Sequence, residues 1–365
     1  MSVFRVFRLG IRFAAWVTPH VQEWHKKRHV NSVEGERHLK ARNWTEAEKY
    51  LTIALQERRR PVGQRFEMTL GIAEAQRKQG KLAEAAATLG AARAMADSGK
   101  NRVLQLQALE AQADFELDQK NYPAAEQMLA QIEALEHSSK RPDHKRVASV
   151  SRKLGTAMLN NGRSDDAMKA FERAAQLSEK AYGPDHVETA DALTELGARY
   201  RGLGNHSEAQ RCLRRALGVH RETTGADSLK TSHDLFHLAS SLAESGDMDG
   251  AAAEYEKVLA LRERQIGADR EQTAEVQAHL AEIYMQSGRT SGARELLIHA
   301  IGVLDRNRGD ERLEFAAETM AKLEETLNRP AEAERWREKA ARSYELRTRP
   351  PEEVAVPAKV LPKYY

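Results

Sequence analysis

"GNHSEAQRCLRRAL", residues 204–217, decides the fold. Alone it is one amphipathic helical stretch behind a glycine. It recurs, however, as "GRSDDAMKAFERAA" from Gly162, "GDMDGAAAEYEKVL" from Gly246 and "GRTSGARELLIHAI" from Gly288, at intervals of 42 residues. Outward from these copies, one small residue follows each turn: Ala47, Ala85, Ala125, Ala167, Ala209, Ala251, Ala293 and Ala333. Twelve residues before each stands a second: Gly35, Ala73, Ala113, Gly155, Gly197, Ala239, Ala281 and Ala321. Small side chains at fixed places on two successive helices let the backbones approach closely. Larger ones would overpack the contact by roughly 1–3 kcal/mol.

Each unit therefore reads as helix, tight turn, helix. Gly80, Gly162, Gly204, Gly246 and Gly288 fall at the turn between the two helices, where a left-handed backbone is needed. Gly183, Gly225, Gly267 and Gly309 mark the end of each second helix. Asp143, Asp185, Asp227 and Asp269 follow as expected caps of the next helix, and "DREQ" from Asp269 and "TEAE" from Thr45 fit a reciprocal capping box. Leu193, Leu196 and Tyr200 share a face of one helix, and Leu213 and Leu217 a face of the next. Leu154 and Phe171, Leu238 and Tyr255, and Leu280, Tyr284 and Leu297 are their equivalents. A pair this small cannot bury such a face alone, so it must stack on its neighbours as a solenoid.

Composition agrees. The chain is 365 residues long, with 41% hydrophobic and 30% charged residues and only 6% aromatics. No stretch alternates as strands do, so the class is all-α. The net charge of +3 is uneven: residues 1–60 hold 13 Lys and Arg against 6 Asp and Glu. Basic character confined to one end argues for a local contact and against a nucleic-acid-binding body. The one cysteine, Cys212, excludes an intrachain disulfide and suits a reducing compartment such as the cytoplasm. No apolar run is long enough to span a membrane as a helix.

Leu196-Gly197, Tyr200, Ala209, Leu213 and Ala216 resemble the tetratricopeptide repeat. The interval of 42 residues and "YGPDHVETADALTELGARY" (182–200) are similar to its kinesin-light-chain subtype. The resemblance covers about residues 28–347. It implies a right-handed superhelical solenoid of about eight tandem repeats whose first helices line a concave face that grips a peptide or partner helix. Lys120 and Asn328 replace the turn glycine, and Glu324 replaces the aromatic. Kinesin light chains commonly place asparagine before the large–small pair; Lys153, Glu195, His237 and His279 stand there instead. Motor transport is therefore not carried over. Nor do the equivalent positions assemble the basic and asparagine clamp of chaperone-binding relatives.

The implied partner-binding groove comprises Arg152, Lys153, Asn160, Asp191, Thr194, Glu195, Arg201, His233, Phe236, His237, Ser240, Glu275, His279 and Glu282. The competing reading makes these ordinary solvated helix residues. "HDLFH" (233–237) sets two histidines one turn apart, and with His279 and Glu275 or Glu282 a zinc site can be drawn. Asp234, however, stands where a metalloprotease would have glutamate, and no third ligand is fixed. Phosphate loops, dinucleotide fingerprints and nucleophile elbows do not occur. The expectation is a protein-binding scaffold without catalytic residues, metal, cofactor, small-molecule substrate or nucleic-acid partner.

The ends differ in kind. In "VFRVFRLGIRFAAWV" (3–17), Arg5, Arg8 and Arg12 make one stripe of a helix, and Phe4, Phe7, Ile11, Phe13 and Trp16 cover the rest. Four readings of residues 1–27 stay open: a helix on a membrane surface, a helix docked into a partner, a cap on the first repeat, or an organelle-targeting segment. The first two are preferred, as the attachment of an adaptor to a larger assembly; the last would place the protein in an organelle lumen. Residues 348–365 contain Pro350, Pro351, Pro357 and Pro362 and should be extended, either as a free tail or lying along another subunit.

Overall fold

The computed structural model describes residues 31–56, 60–306 and 310–348. The stretches 3–17 and 349–365 and Gly309 lie outside them. Among the described residues the regular structure is helical throughout. The order is α1 (31–40), α2 (Trp44–Leu55), α3 (Val62–Lys78), α4 (Leu82–Ser98), α5 (Arg102–Asp118), α6 (Tyr122–His137), α7 (His144–Asn160) and α8 (Ser164–Tyr182). It continues with α9 (Val187–Gly202), α10 (His206–Thr223), α11 (Leu229–Glu244), α12 (Met248–Ile266), α13 (Glu271–Gln286), α14 (Thr290–Leu304), α15 (Glu311–Thr326) and α16 (Pro330–Thr348). Two compact units divide the chain, one ending at Leu177 and the other beginning at Ser178.

Within each unit, helices pack as successive antiparallel hairpins, the all-α repeat solenoid that the periodicity predicts. Every one of the small residues is buried. A methyl group added at Gly197 would sit 2.7 Å from Leu213 Cγ, and one at Gly35 would sit 2.6 Å from Leu51 Cγ. At Gly155 the obstacle is the Phe171 ring, 3.0 Å away. Of the expected apolar face, Leu193, Leu196, Leu213, Leu217, Leu238, Tyr255, Leu280 and Leu297 are buried in the second unit and Leu154 and Phe171 in the first. Tyr200 and Tyr284 are half-buried at its edge. Cys212 is a buried packing residue.

All eight turns share one backbone solution. The residue five before each small alanine is left-handed: Gly80, Gly162, Gly204, Gly246 and Gly288 at φ between 74° and 91°, but also Arg42 (57°), Lys120 (58°) and Asn328 (59°). The next amide reaches back five residues to a carbonyl, as Asn205 N–H does to Tyr200 O at 2.9 Å. This is the Schellman closure, and it forms whether or not glycine is present. Lys120 and Asn328 are therefore strained members of the series and not gaps in it.

Two capping expectations are corrected. Asp143 does cap α7, accepting from the Lys145 and Arg146 amides. At the next three junctions, however, the cap position is one residue later: His186, Ser228 and Arg270 precede α9, α11 and α13. Each chain end there is tied back by a threonine. Thr189, Thr231 and Thr273 donate hydroxyl hydrogen bonds to the carbonyls of Gly183, Gly225 and Gly267 at 2.7–2.9 Å. That tie satisfies a carbonyl at the end of the preceding helix; the capping expected of Asp185 and Asp227 falls to the side chains of His186 and Ser228, and Arg270 makes no side-chain capping bond. Thr45 lies inside α2, whose cap residue, Asn43, makes no side-chain capping bond, so no capping box forms there.

Candidate interaction site

The expected groove residues belong to two units. In the first unit, Arg152, Lys153 and Asn160 lie on α7. Lys153 Nζ is 2.5 Å from Asp114 and 3.9 Å from Glu110, whose carboxyl burial pushes up while Lys153 and Arg146 pull it down. Arg152 and Asn160 are exposed, and the Asn160 amide donates to its own helix at Thr156 O, 2.8 Å.

In the second unit, α11 and α13 bring most of the remainder together. His279 is stacked parallel to Tyr255 with ring centres 5.9 Å apart, edge-on to Phe236 at 5.4 Å, and 4.5 Å from Phe315 of α15. His233 and His237 meet edge to face, with their Nε2 atoms 3.2 Å apart, so one ring donates and the other accepts. Arg262, reaching from α12, holds its guanidinium 5.0 Å over the Phe236 ring. It donates to Ser232 Oγ at 3.1 Å and to the Gln272 carbonyl, and sits 3.6 Å from Glu275.

The electrostatics follow from crowding. Burial pulls His237 down to about 3, with His233 and Arg201 adding to it. Burial also pulls His279 down to about 4, helped by Arg201 and Arg262. His233 moves the same way although its side chain is exposed. Glu275 and Glu282 are pushed up by burial, against the pull of Arg262 and Lys322 respectively. These side chains touch solvent yet are flanked by protein. The histidines are thus neutral near pH 7. The buried Nδ1 of His237 has no hydrogen-bond partner.

Three expected groove residues are not surface. Thr194, Phe236 and Ser240 are buried. Ser240 Oγ bonds the Tyr255 hydroxyl at 2.8 Å, and Thr194 donates to Asp234 at 2.6 Å. They support the face from below because the next repeat stacks over them. Asp234 itself turns inward: its other oxygen is 2.6 Å from His220 Nδ1, and His220 Nε2 is 3.2 Å from Asp191, which also pairs with Lys230. Asp191 remains half-exposed, Arg201 pairs with Glu244 at 2.8 Å, and Glu195 lies 3.6 Å from Arg199 one turn on. The zinc arrangement does not assemble; among the described residues no three His, Cys, Asp or Glu side chains converge on a metal position.

The contributions of Arg262, His220 and Phe315 were missed by sequence reading. Arg262 and His220 sit on second helices, which the periodic pattern assigns to the outer layer. Their 7% and 1% exposure was the feature to find, and a charged residue in line with Val258 and Leu261 was its only signal.

Comparison with known proteins fits this architecture. Tetratricopeptide-repeat signatures match residues 33–100, 146–222 and 227–306, more than half of the chain. The chain belongs to the tetratricopeptide-repeat family. As such it is a protein–protein interaction scaffold. Solved structures similar to this tetratricopeptide-repeat protein include BtubC (BKLC) from P. vanneervenii, at 17% identity over 62% of this chain and 91% of that one, TM-score 0.55. A Podosopora anserina protein described as a kinesin light chain with nearly identical TPR-like repeats is 20% identical over 55% of this chain and 95% of its own, TM-score 0.50. The apo form of RapI is 9% identical over 87% and 97%, TM-score 0.64. At these identities the likeness is one of fold. No curated protein sequence matches the chain. No helix among the described residues is long and apolar enough to cross a membrane.

Proposed function

We propose that this protein is a non-enzymatic adaptor whose second unit captures a segment of a protein partner on the face built by α11 and α13. One observation carries the reading. His237 and His279 stay neutral and half-buried beside an aromatic cluster, with His233 exposed next to them. Neutral rings can pack against a partner segment without paying to desolvate a charge. At the equivalent position of other repeats, Lys153 and Glu195 already face oppositely charged residues of their own chain.

The test is a photo-crosslinking residue placed at His237 in the full chain, compared with one at Glu256 on α12, in native extract. Crosslinks to a defined partner from position 237 alone support the face. Equal labelling from both positions refutes it. His237→Ala should release the same partner without lowering helicity.

Attachment of the scaffold to a larger assembly or a membrane surface through residues 3–17 belongs to the same proposal. It is supported by three arginines set among apolar and aromatic residues, with no acidic residue before Glu23. A chain lacking residues 1–30 that still co-fractionates fully with the assembly and with lipid refutes that attachment.

A further inference from the structure

The first unit contains a cavity of about 770 Å³ that the function above does not use. Its size falls within the roughly 300–1,000 Å³ of ligand sites. Leu39, Leu51, Met68 and Leu70 form its apolar floor, and Glu36, Glu67 and Glu74 stand around it with Arg60 as the one cation among the described lining residues. Glu74 is held by Arg77 at 2.6 Å. Glu36 and Glu67 are exposed and make no ion pair among the described residues. Two glycines open the hollow. Nothing lies within 4 Å of where a Gly63 methyl would be, and a methyl at Gly71 would strike Leu51 and Leu39 at 2.8 and 2.9 Å.

We propose that this acidic, apolar-floored groove is the seat of the chain's own basic segment, residues 3–17, with Phe4, Phe7 and Ile11 toward the floor and Arg5, Arg8 and Arg12 toward Glu36 and Glu67. Three considerations commit the groove to this occupant. The charges are complementary: the segment carries three arginines and no acid, against two unspent carboxylates. The tether reaches: residues 18–30 can span up to about 40 Å when extended, more than twice the roughly 15 Å length of the described part of α1. Tethering also favours it over a free peptide, because a short covalent connection supplies an effective concentration of order millimolar. Seating competes with the external attachment proposed above, so the segment is either stored on the first unit or released onto a partner or lipid.

Disulfide trapping in the full chain tests this, with Cys212→Ser in every variant. Phe7→Cys with Gly63→Cys should close an intrachain disulfide roughly tenfold or more faster than Phe7→Cys with Glu84→Cys on the outer helix α4, because only the seated pair is held together. Adding Glu36→Lys and Glu67→Lys should return the fast pair to the slow rate; Arg60→Ala should not. Equal rates for the two pairs overturn the proposal. So does a disulfide formed only between two chains, which assigns the groove to a second copy. Anionic vesicles should slow the fast pair, and this readout involves none of the residues that test the α11–α13 face.

Discussion

Gly197→Ala tests the physical basis of the repeat. The added methyl would lie 2.7 Å from Leu213 Cγ and 3.1 Å from the Ala209 carbonyl oxygen. The side chain can shift, but the backbone carbonyl belongs to the partner helix and cannot move alone. Overpacking of this kind costs about 1–3 kcal/mol. Against it stands the helix preference of alanine over glycine, about 0.5–1 kcal/mol. The net expectation is destabilisation by about 1 kcal/mol. Gly218→Ala is the matched control, because Gly218 is exposed on α10 with nothing within 4 Å of the new methyl. It should gain about 0.5–1 kcal/mol. Leu213 is fully buried, so Leu213→Ala should cost about 2–5 kcal/mol alone. In the Gly197→Ala background it should cost less, since the clash disappears and the methyl fills part of the cavity; the coupling should be of order 1 kcal/mol. Urea unfolding followed by far-UV circular dichroism, with hydrogen exchange on α9 and α10 to detect local fraying, measures all four chains. If Gly197→Ala gains stability as Gly218→Ala does, close helix approach is not what the small residue is for.

Three further outcomes follow from the same geometry. His220→Ala leaves Asp234 buried without its 2.6 Å partner and should cost about 3–5 kcal/mol in urea unfolding. Lys120→Gly should raise stability by about 1 kcal/mol by relieving a left-handed residue that carries a side chain, whereas Gly204→Ala should lose a similar amount; thermal melts read both. His237 and His279 are depressed to about 3 and about 4, below the unfolded value, so the unfolded chain binds more protons between about pH 6.5 and those values. Stability should therefore fall as pH drops through that window, by up to about 1.4 kcal/mol per pH unit for each ring. The raised carboxyls of Glu275 and Glu282 work in the opposite sense, losing stability as pH rises through their folded values. Replacing both histidines by glutamine should flatten the slope between pH 6 and 5, and an unchanged slope counts against their neutrality.

Much of the fold was legible because its determinants repeat. The glycine or alanine at positions such as 197 and 239 and the alanine at 209 and 251 have one physical job each, and a job repeated eight times stands out in any single copy. The caps were not legible for the complementary reason. Asp185, Asp227 and Asp269 are chemically fit to cap, yet each cap position falls one residue later, three residues before a threonine tied to Gly183, Gly225 or Gly267. The side chains of His186 and Ser228 accept from the exposed amides as an aspartate would, so composition alone could not rank the neighbouring positions. Within the site, sequence could place side chains on a first helix but not tell which the next repeat would cover. Thr194, Phe236 and Ser240 went under for that reason.

The repeated position just before the large–small pair shows how one scaffold makes unequal surfaces. Along the chain it holds Lys153, Glu195, His237 and His279. Lys153 lies beside Asp114, and Glu195 beside Arg199, so each charge faces an opposite one on its own chain. The two histidines meet no carboxylate there; rings and arginines surround them, and the least costly state in those surroundings is neutral. A charged side chain at either place would have to be desolvated among Phe236, Tyr255 and Phe315. Aspartate substituted at 279 should therefore destabilise the second unit, whereas glutamine, neutral and able to hydrogen-bond, should not. If aspartate is accommodated without loss, the pocket is wetter than the stacking distances of 4.5–5.9 Å imply, and the case for a dry, neutral binding face fails with it.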